Sequence, residues 1–110
     1  MINIVIQYND GYISRITASG HSGYAEAGSD IVCAGVSALM IAIGNGLEKN
    51  IPGITMHSLE DGHLDICATE PLSLQMQQKA DLLFNTLAEG LCSLEEAYSA
   101  YILVTKLESK

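Results

Sequence analysis

The sequence predicts an α+β domain. A mainly antiparallel sheet, formed by two hairpins and a C-terminal strand, packs with two main helices in the order β-β-α-β-β-α-β. Three observations carry that expectation. Period-two apolar alternation flanks Asn9-Asp10-Gly11 and recurs around Glu60-Asp61-Gly62, the pattern of half-buried hairpins. A nearly unbroken apolar run, IVCAGVSALMIAIGNGL, fills residues 31–47 between them. Met76, Ala80, Leu83 and Leu87 then form the stripe of an amphipathic helix.

In the first hairpin Ile2, Ile4, Ile6 and Tyr8 share one strand face, and loop length decides what lies opposite them. A two-residue Asp-Gly loop sets Ile6 against Arg15. A three-residue loop with Gly11 left-handed sets Ile2, Ile4 and Tyr8 against Ala18, Ile16 and Tyr12, and is preferred because one apolar face stays largely intact. In the second hairpin a three-residue loop puts Ile54, Met56, Leu64, Ile66 and Ala68 on one face. His57, His63, Asp65 and Cys67 then share the other, expected to be solvated, with His57 across from Asp65. The apolar run falls just short of a membrane span and reads as a helix buried at the centre of the domain. The second helix spans about Leu72 to Leu91. After a break near Cys92, Ser93 with Glu96 fits a capping box, and a short turn leads into a last strand, Tyr101 to Leu107.

A chain of 110 residues is one domain, residues 1–110, with room for a single core. Hydrophobic content of 48% with 16% charged residues is that of a globular chain rather than a disordered one. A formal charge of −8 with five Lys and Arg argues against direct nucleic-acid binding, because phosphate contact requires a basic face. The opening MINIVIQYND lacks the basic start and apolar core of a signal peptide. Three cysteines without a CxxC pair suggest neither a disulfide framework nor a zinc knuckle. A cytoplasmic protein with free thiols, no membrane contact, no metal and no cofactor is expected.

The chemistry concentrates in GHSGYAEAGSDIVC, Gly20 to Cys33. This loop starts with a histidine at a strand end and finishes with a cysteine in the first turn of the apolar helix. Ser29 or Asp30 can cap that helix, which puts Cys33 at its third or fourth position. A thiol attacks as thiolate, and a helix N-terminus favours that form. The dipole contributes only ~0.3–1 kcal/mol, under one pKa unit, while a free cysteine titrates near ~8.5. A paired histidine must supply the rest. His21 is the histidine the loop can fold back onto Cys33, whereas His57 and His63 belong to the face taken as solvated. First-turn amides, that of Cys33 included, are candidate oxyanion donors. Asp30 either orients His21 or only caps the helix, and capping is the commoner role for such a residue. The bland alternative is that Cys33 is a small buried hydrophobe. Cys67, on a strand, and Cys92, after a helix C-terminus, read as structural.

The run GHSGYAEAGSDIVCAGVSAL, Gly20 to Leu39, resembles the signature of the ribosomal-processing cysteine protease (Prp) family of bacteria, and the likeness extends over essentially the whole chain. The resemblance implies an endopeptidase that removes a short N-terminal extension from the precursor of a large-subunit ribosomal protein, number twenty-seven of that subunit. It puts the catalytic pair on His21 and Cys33 and gives Gly20, Asp30 and Ser37 supporting places. It also implies a homodimer and a mobile loop whose flexibility comes from Gly23 and Gly28. Ser22 stands where Ala is more usual after the Gly-His pair. Two other readings compete: a non-catalytic ribosome-associated binding module with a structural thiol, and a redox sensor needing a resolving cysteine near Cys33.

Overall fold

Both helices lie on one side of a single five-stranded sheet, so the fold has two layers and one core. The computed structural model describes residues 1–26, 30–59 and 62–109. Its elements are β1 (Ile2–Asn9), β2 (Tyr12–Ser19), α1 (Ile31–Asn50), β3 (Ile54–Leu59), β4 (His63–Ala68), α2 (Leu74–Ala97) and β5 (Ile102–Ser109). The strands lie in the order β3-β4-β2-β1-β5. Every neighbouring pair is antiparallel except β1 with β5, which is parallel. The sheet is therefore mixed and mainly antiparallel, as the α+β reading expects.

Alternation puts Ile2, Ile4 and Ile6 of β1, Ile16 and Ala18 of β2, and Leu64 and Ile66 of β4 into the core. Val32, Val36, Met40 and Leu47 of α1 and Ala80, Phe84, Leu87 and Leu91 of α2 close over them. Each Ile, Val, Leu, Met or Phe side chain among them contributes about 1.5–3 kcal/mol on burial. The outer strands are protected by the helices above them: Glu48 Oε2 accepts the Met56 N–H of β3 at 3.0 Å, and Glu95 Oε2 accepts the Val104 N–H of β5 at 2.7 Å. Occupied edge amides are poor templates for another strand.

Four expectations need correction. The first hairpin turns through two residues, Asp10 (φ 53°) and Gly11 (φ 82°), the left-handed pair of a type I′ turn. A bulge then leaves Ser14 unpaired, so that Tyr8 faces Ile13 while Ile6 faces Ile16. The bulge restores the apolar face that an unbroken two-residue hairpin would invert. Second, α1 is not enclosed. Val32, Val36, Met40, Gly44 and Leu47 are buried, whereas Ile31 is 56% exposed, because a two-layer fold has nothing above its helices, and Ile41 is 44% exposed where it lines an open cleft. By length and composition α1 is apolar enough to cross a membrane, and here its inner stripe packs on β3, β4 and α2.

Third, α2 runs unbroken through Cys92 to Ala97, since Leu87, Leu91 and Leu94 continue its apolar stripe. Ser93 caps nothing; its hydroxyl donates to the Glu89 carbonyl one turn back. Fourth, the second hairpin has the expected register, His57 facing Asp65, but its outer face is not wholly solvated. Asp65 is buried, held by the Arg15 guanidinium through two bonds of 2.9 and 2.6 Å from β2.

Candidate active site

The site forms where β2 ends and α1 begins. Gly20 carries the chain out of β2 at φ 92°, and a β-carbon there would stand 2.6 Å from the Met1 carbonyl oxygen. Only glycine fits both conditions. His21 follows, exposed at the mouth of a cleft of about 280 Å³ that also takes in Cys33, Ser37, His63 and Gly62, with Ile2, Val36 and Leu64 as its apolar lining. Gly62 turns at φ 77° beneath the imidazole, its missing β-carbon 3.2 Å from His21 Cε1.

Cys33 is the third residue of α1, half-buried at the cleft floor, with Ser37 one turn further on. Asp30 is the N-cap. Its Oδ1 accepts the Val32 N–H at 3.0 Å and the Cys33 N–H at 2.9 Å, which satisfies two of the helix's orphan donors. Its Oδ2 accepts the Ser22 hydroxyl. These bonds, that from Ser22 first and that from the Cys33 amide second, pull the Asp30 carboxyl down to about 2. Asp30 therefore caps the helix. The Cys33 amide, expected as an oxyanion donor, is committed to Asp30, and the Ala34 N–H is taken by the Asp30 carbonyl at 3.0 Å.

Ser22 ties the two ends of the loop together. Its main-chain N–H donates to Cys33 Sγ at 3.4 Å, and its Oγ accepts the Tyr24 N–H at 3.0 Å. The Tyr24 ring docks edge-on against Tyr98 and Tyr101, with centroids 6.1 and 5.2 Å apart. Gly23 has φ 74° with open space around it, while Gly28 and Ser29 lie outside the described residues. Ser22, Tyr24, Gly62 and His63 are cleft or loop residues that sequence reasoning missed. Alternation along β4 puts His63 on a solvated face. It is half-buried and lines the cleft instead, because β4 pairs with β2 so that His63 faces Ser19 beside the Gly20 turn. Cys33, Cys67 and Cys92 are free thiols, and among the described residues no group of three or more His, Cys, Asp or Glu could hold a metal ion.

Residues 1–103 match the family model described as Cysteine protease Prp. The chain belongs to the Prp family. It is 32% identical over 106 residues to the ribosomal processing cysteine protease Prp of Staphylococcus aureus (strain Mu50), a match covering 93% of this chain and 95% of that one. Its counterpart in Bacillus subtilis (strain 168) is 28% identical over 99 residues, 88% of each chain. Among solved structures, the S. aureus Prp in complex with a covalently linked product peptide superposes with a TM-score of 0.83 at 28% identity, covering 96% of this chain and 99% of that one. The same enzyme with a substrate peptide gives a TM-score of 0.77 at 27% identity, with the same coverage. The chain is a cysteine protease of the ribosomal-processing family, with the family's β-β-α-β-β-α-β fold.

Proposed function

We propose that this chain removes the N-terminal extension of a large-subunit ribosomal protein precursor (number twenty-seven), with Cys33 as nucleophile and His21 as its proton acceptor and donor. The observation that carries the reading is the Ser22 N–H bond to Cys33 Sγ inside a cleft that His21 also lines. It holds the residue next to His21 against the sulfur.

In this mechanism the His21 imidazole takes the thiol proton and the thiolate attacks the scissile carbonyl carbon. The resulting imidazolium protonates the departing amine, leaving an acyl-thioester on Cys33. Water, deprotonated by the same imidazole, then releases the acid and regenerates the thiol. Because the Cys33 amide is held by Asp30, the oxyanion needs another donor. The peptides in the S. aureus structures, one of them covalently linked, support a peptide substrate. The protein acts in the cytoplasm as a homodimer without direct nucleic-acid or membrane contact. The 56% exposure of Ile31 on α1 supports a covered face, and the charge of −8 suits a basic ribosomal protein as substrate.

The test is cleavage of a peptide spanning the extension junction by the native chain, Cys33→Ala and His21→Ala. Cleavage at one bond by the native chain alone is expected. Equal cleavage by Cys33→Ala, or none by the native chain, overturns the reading.

A further inference from the structure

In the loop that leads from His21, Ser22 is the exception to exposure. It is 4% exposed, while His21, Gly23, Tyr24, Ala25 and Glu26 are all exposed. A serine buried so completely in a surface loop must place its hydroxyl, since an unpaired one costs about 1–3 kcal/mol. It does so on Asp30 Oδ2. The bonds form a closed ring. Asp30 Oδ1 holds the Cys33 N–H, Asp30 Oδ2 holds the Ser22 hydroxyl, and the Ser22 N–H reaches back to Cys33 Sγ.

We propose that Ser22 is a positioning residue: its buried hydroxyl, hung on the Asp30 helix cap, holds its own N–H on the sulfur of Cys33 and thereby keeps His21 beside it. The proposal rests on the reading of Cys33 as nucleophile. Ser22 acts through Cys33, whose sulfur its N–H meets at 3.4 Å. An alanine at this place keeps the amide but loses the tether to Asp30, so the amide and His21 drift from the sulfur together. The Asp30 carboxyl, already low at about 2 with the Ser22 bond as its first cause, is the anchor. An asparagine there keeps the cap, for Asn and Asp cap helices about equally, but loses the charged acceptor that Ser22 uses.

The experiment compares the native chain, Ser22→Ala, Asp30→Asn and the double variant. One readout is the rate of iodoacetamide addition to Cys33, followed by mass spectrometry of its peptide from neutral to alkaline pH. The other is kcat and KM on the extension peptide. Ser22→Ala should alkylate about ten-fold more slowly near neutrality, because His21 no longer stands where it can take the thiol proton. It should also lose about ten-fold in kcat with KM little changed. The double variant should lose no more than the worse single one, because both break one ring. Thermal unfolding shows whether each variant is folded, and Ser22→Thr, which keeps the hydroxyl, should restore most of the alkylation rate. Native alkylation rates in Ser22→Ala across the pH range, or losses that multiply in the double variant, overturn the proposal. The alkylation arm needs no substrate, so failure of the clamp is distinguishable from retained cleavage in Cys33→Ala, which would defeat the reading beneath it.

Discussion

The His21 ring borders the space that a side chain at Gly62, on the opposite hairpin, would fill. A β-carbon at Gly62 would lie 3.2 Å from His21 Cε1, 3.4 Å from Nε2 and 3.0 Å from the Gly20 carbonyl oxygen. The imidazole thus lies close to a turn 41 residues away in the chain. Gly62→Ala places a methyl in that contact at φ 77°, where an L-residue costs roughly 1–2 kcal/mol. The expected result is a Tm only modestly lowered and a cleavage rate reduced on the order of 10²-fold, the scale of an ångström's misplacement. Steady-state kinetics set beside thermal unfolding checks it, and cleavage at the native rate would show that His21 tolerates displacement.

Asp30 gives the protein a distinct acid response. Its folded carboxyl sits at about 2, below its ordinary 3.8, through the Ser22 hydroxyl, then the Cys33 amide, the Cys33 thiol and the Val32 amide. A depressed folded pKa means that the unfolded chain binds the proton first as pH falls. The stabilisation is therefore full above about pH 4 and is lost between pH 4 and 2. The carboxyl carbon of Asp30, followed by NMR, should titrate near the bottom of that window in the native chain and move toward 3.8 in Ser22→Ala. A native midpoint close to 3.8 would remove the cap-and-clamp account.

How much of this was legible depended on sequence distance. The α+β order, the second hairpin's register and the placing of His21 and Cys33 at a strand end and a helix start all follow from local periodicity and spacing. Asp30 as cap follows from residue type and position. The contacts made by Ser22, Gly62, His63 and Tyr24 do not. Ser22 reads as an ordinary loop serine until the Asp30 carboxylate is seen beside it. His63 belongs to the outer face by alternation, and only the pairing of β4 with β2 brings it to the cleft. Tyr24 meets Tyr98 and Tyr101 across more than 70 residues. The break expected at Cys92 was wrong because Leu91 and Leu94 reward continuing the helix, and burial outweighs a local capping pattern.

Tyr24 fastens the middle of the loop. Its ring meets Tyr101 at 82° and Tyr98 at 83°, the edge-to-face geometry worth about 0.5–1.5 kcal/mol per pair. At 42% exposure the low end applies, so Tyr24→Ala should loosen the loop by about 1 kcal/mol. Hydrogen exchange of the amide at position 24, which bonds Ser22 Oγ, should then quicken by about five-fold. Tyr24→Phe keeps both ring contacts and should exchange as the native chain does. Equal exchange in all three proteins would show that the ring contacts do not hold the loop.

Ser14 is an inserted residue in an otherwise regular hairpin. With Asn9 facing Tyr12 and Tyr8 facing Ile13, an unbroken ladder would next set Gln7 against Ser14 and Ile6 against Arg15. The bulge skips Ser14, so Gln7 faces Arg15 and Ile6 faces Ile16. Its hydroxyl occupies the Gln7 carbonyl at 3.3 Å. Removing Ser14 would leave the alternation intact: Ile13 in, Arg15 out, Ile16 in, Thr17 out, Ala18 in. Arg15 would still reach Asp65 and the type I′ turn would be unchanged. Deletion of Ser14 should therefore be tolerated, with stability altered by no more than about 1 kcal/mol, the size of one net hydrogen bond. Deletion of Thr17, two residues beyond the bulge, shifts the rest of β2 by one place and turns its far end inside out. That variant should fail to fold cooperatively. Thermal unfolding of the two single-residue deletions decides the matter: equal damage from both would mean that the bulge is itself required, and that register alone does not explain it.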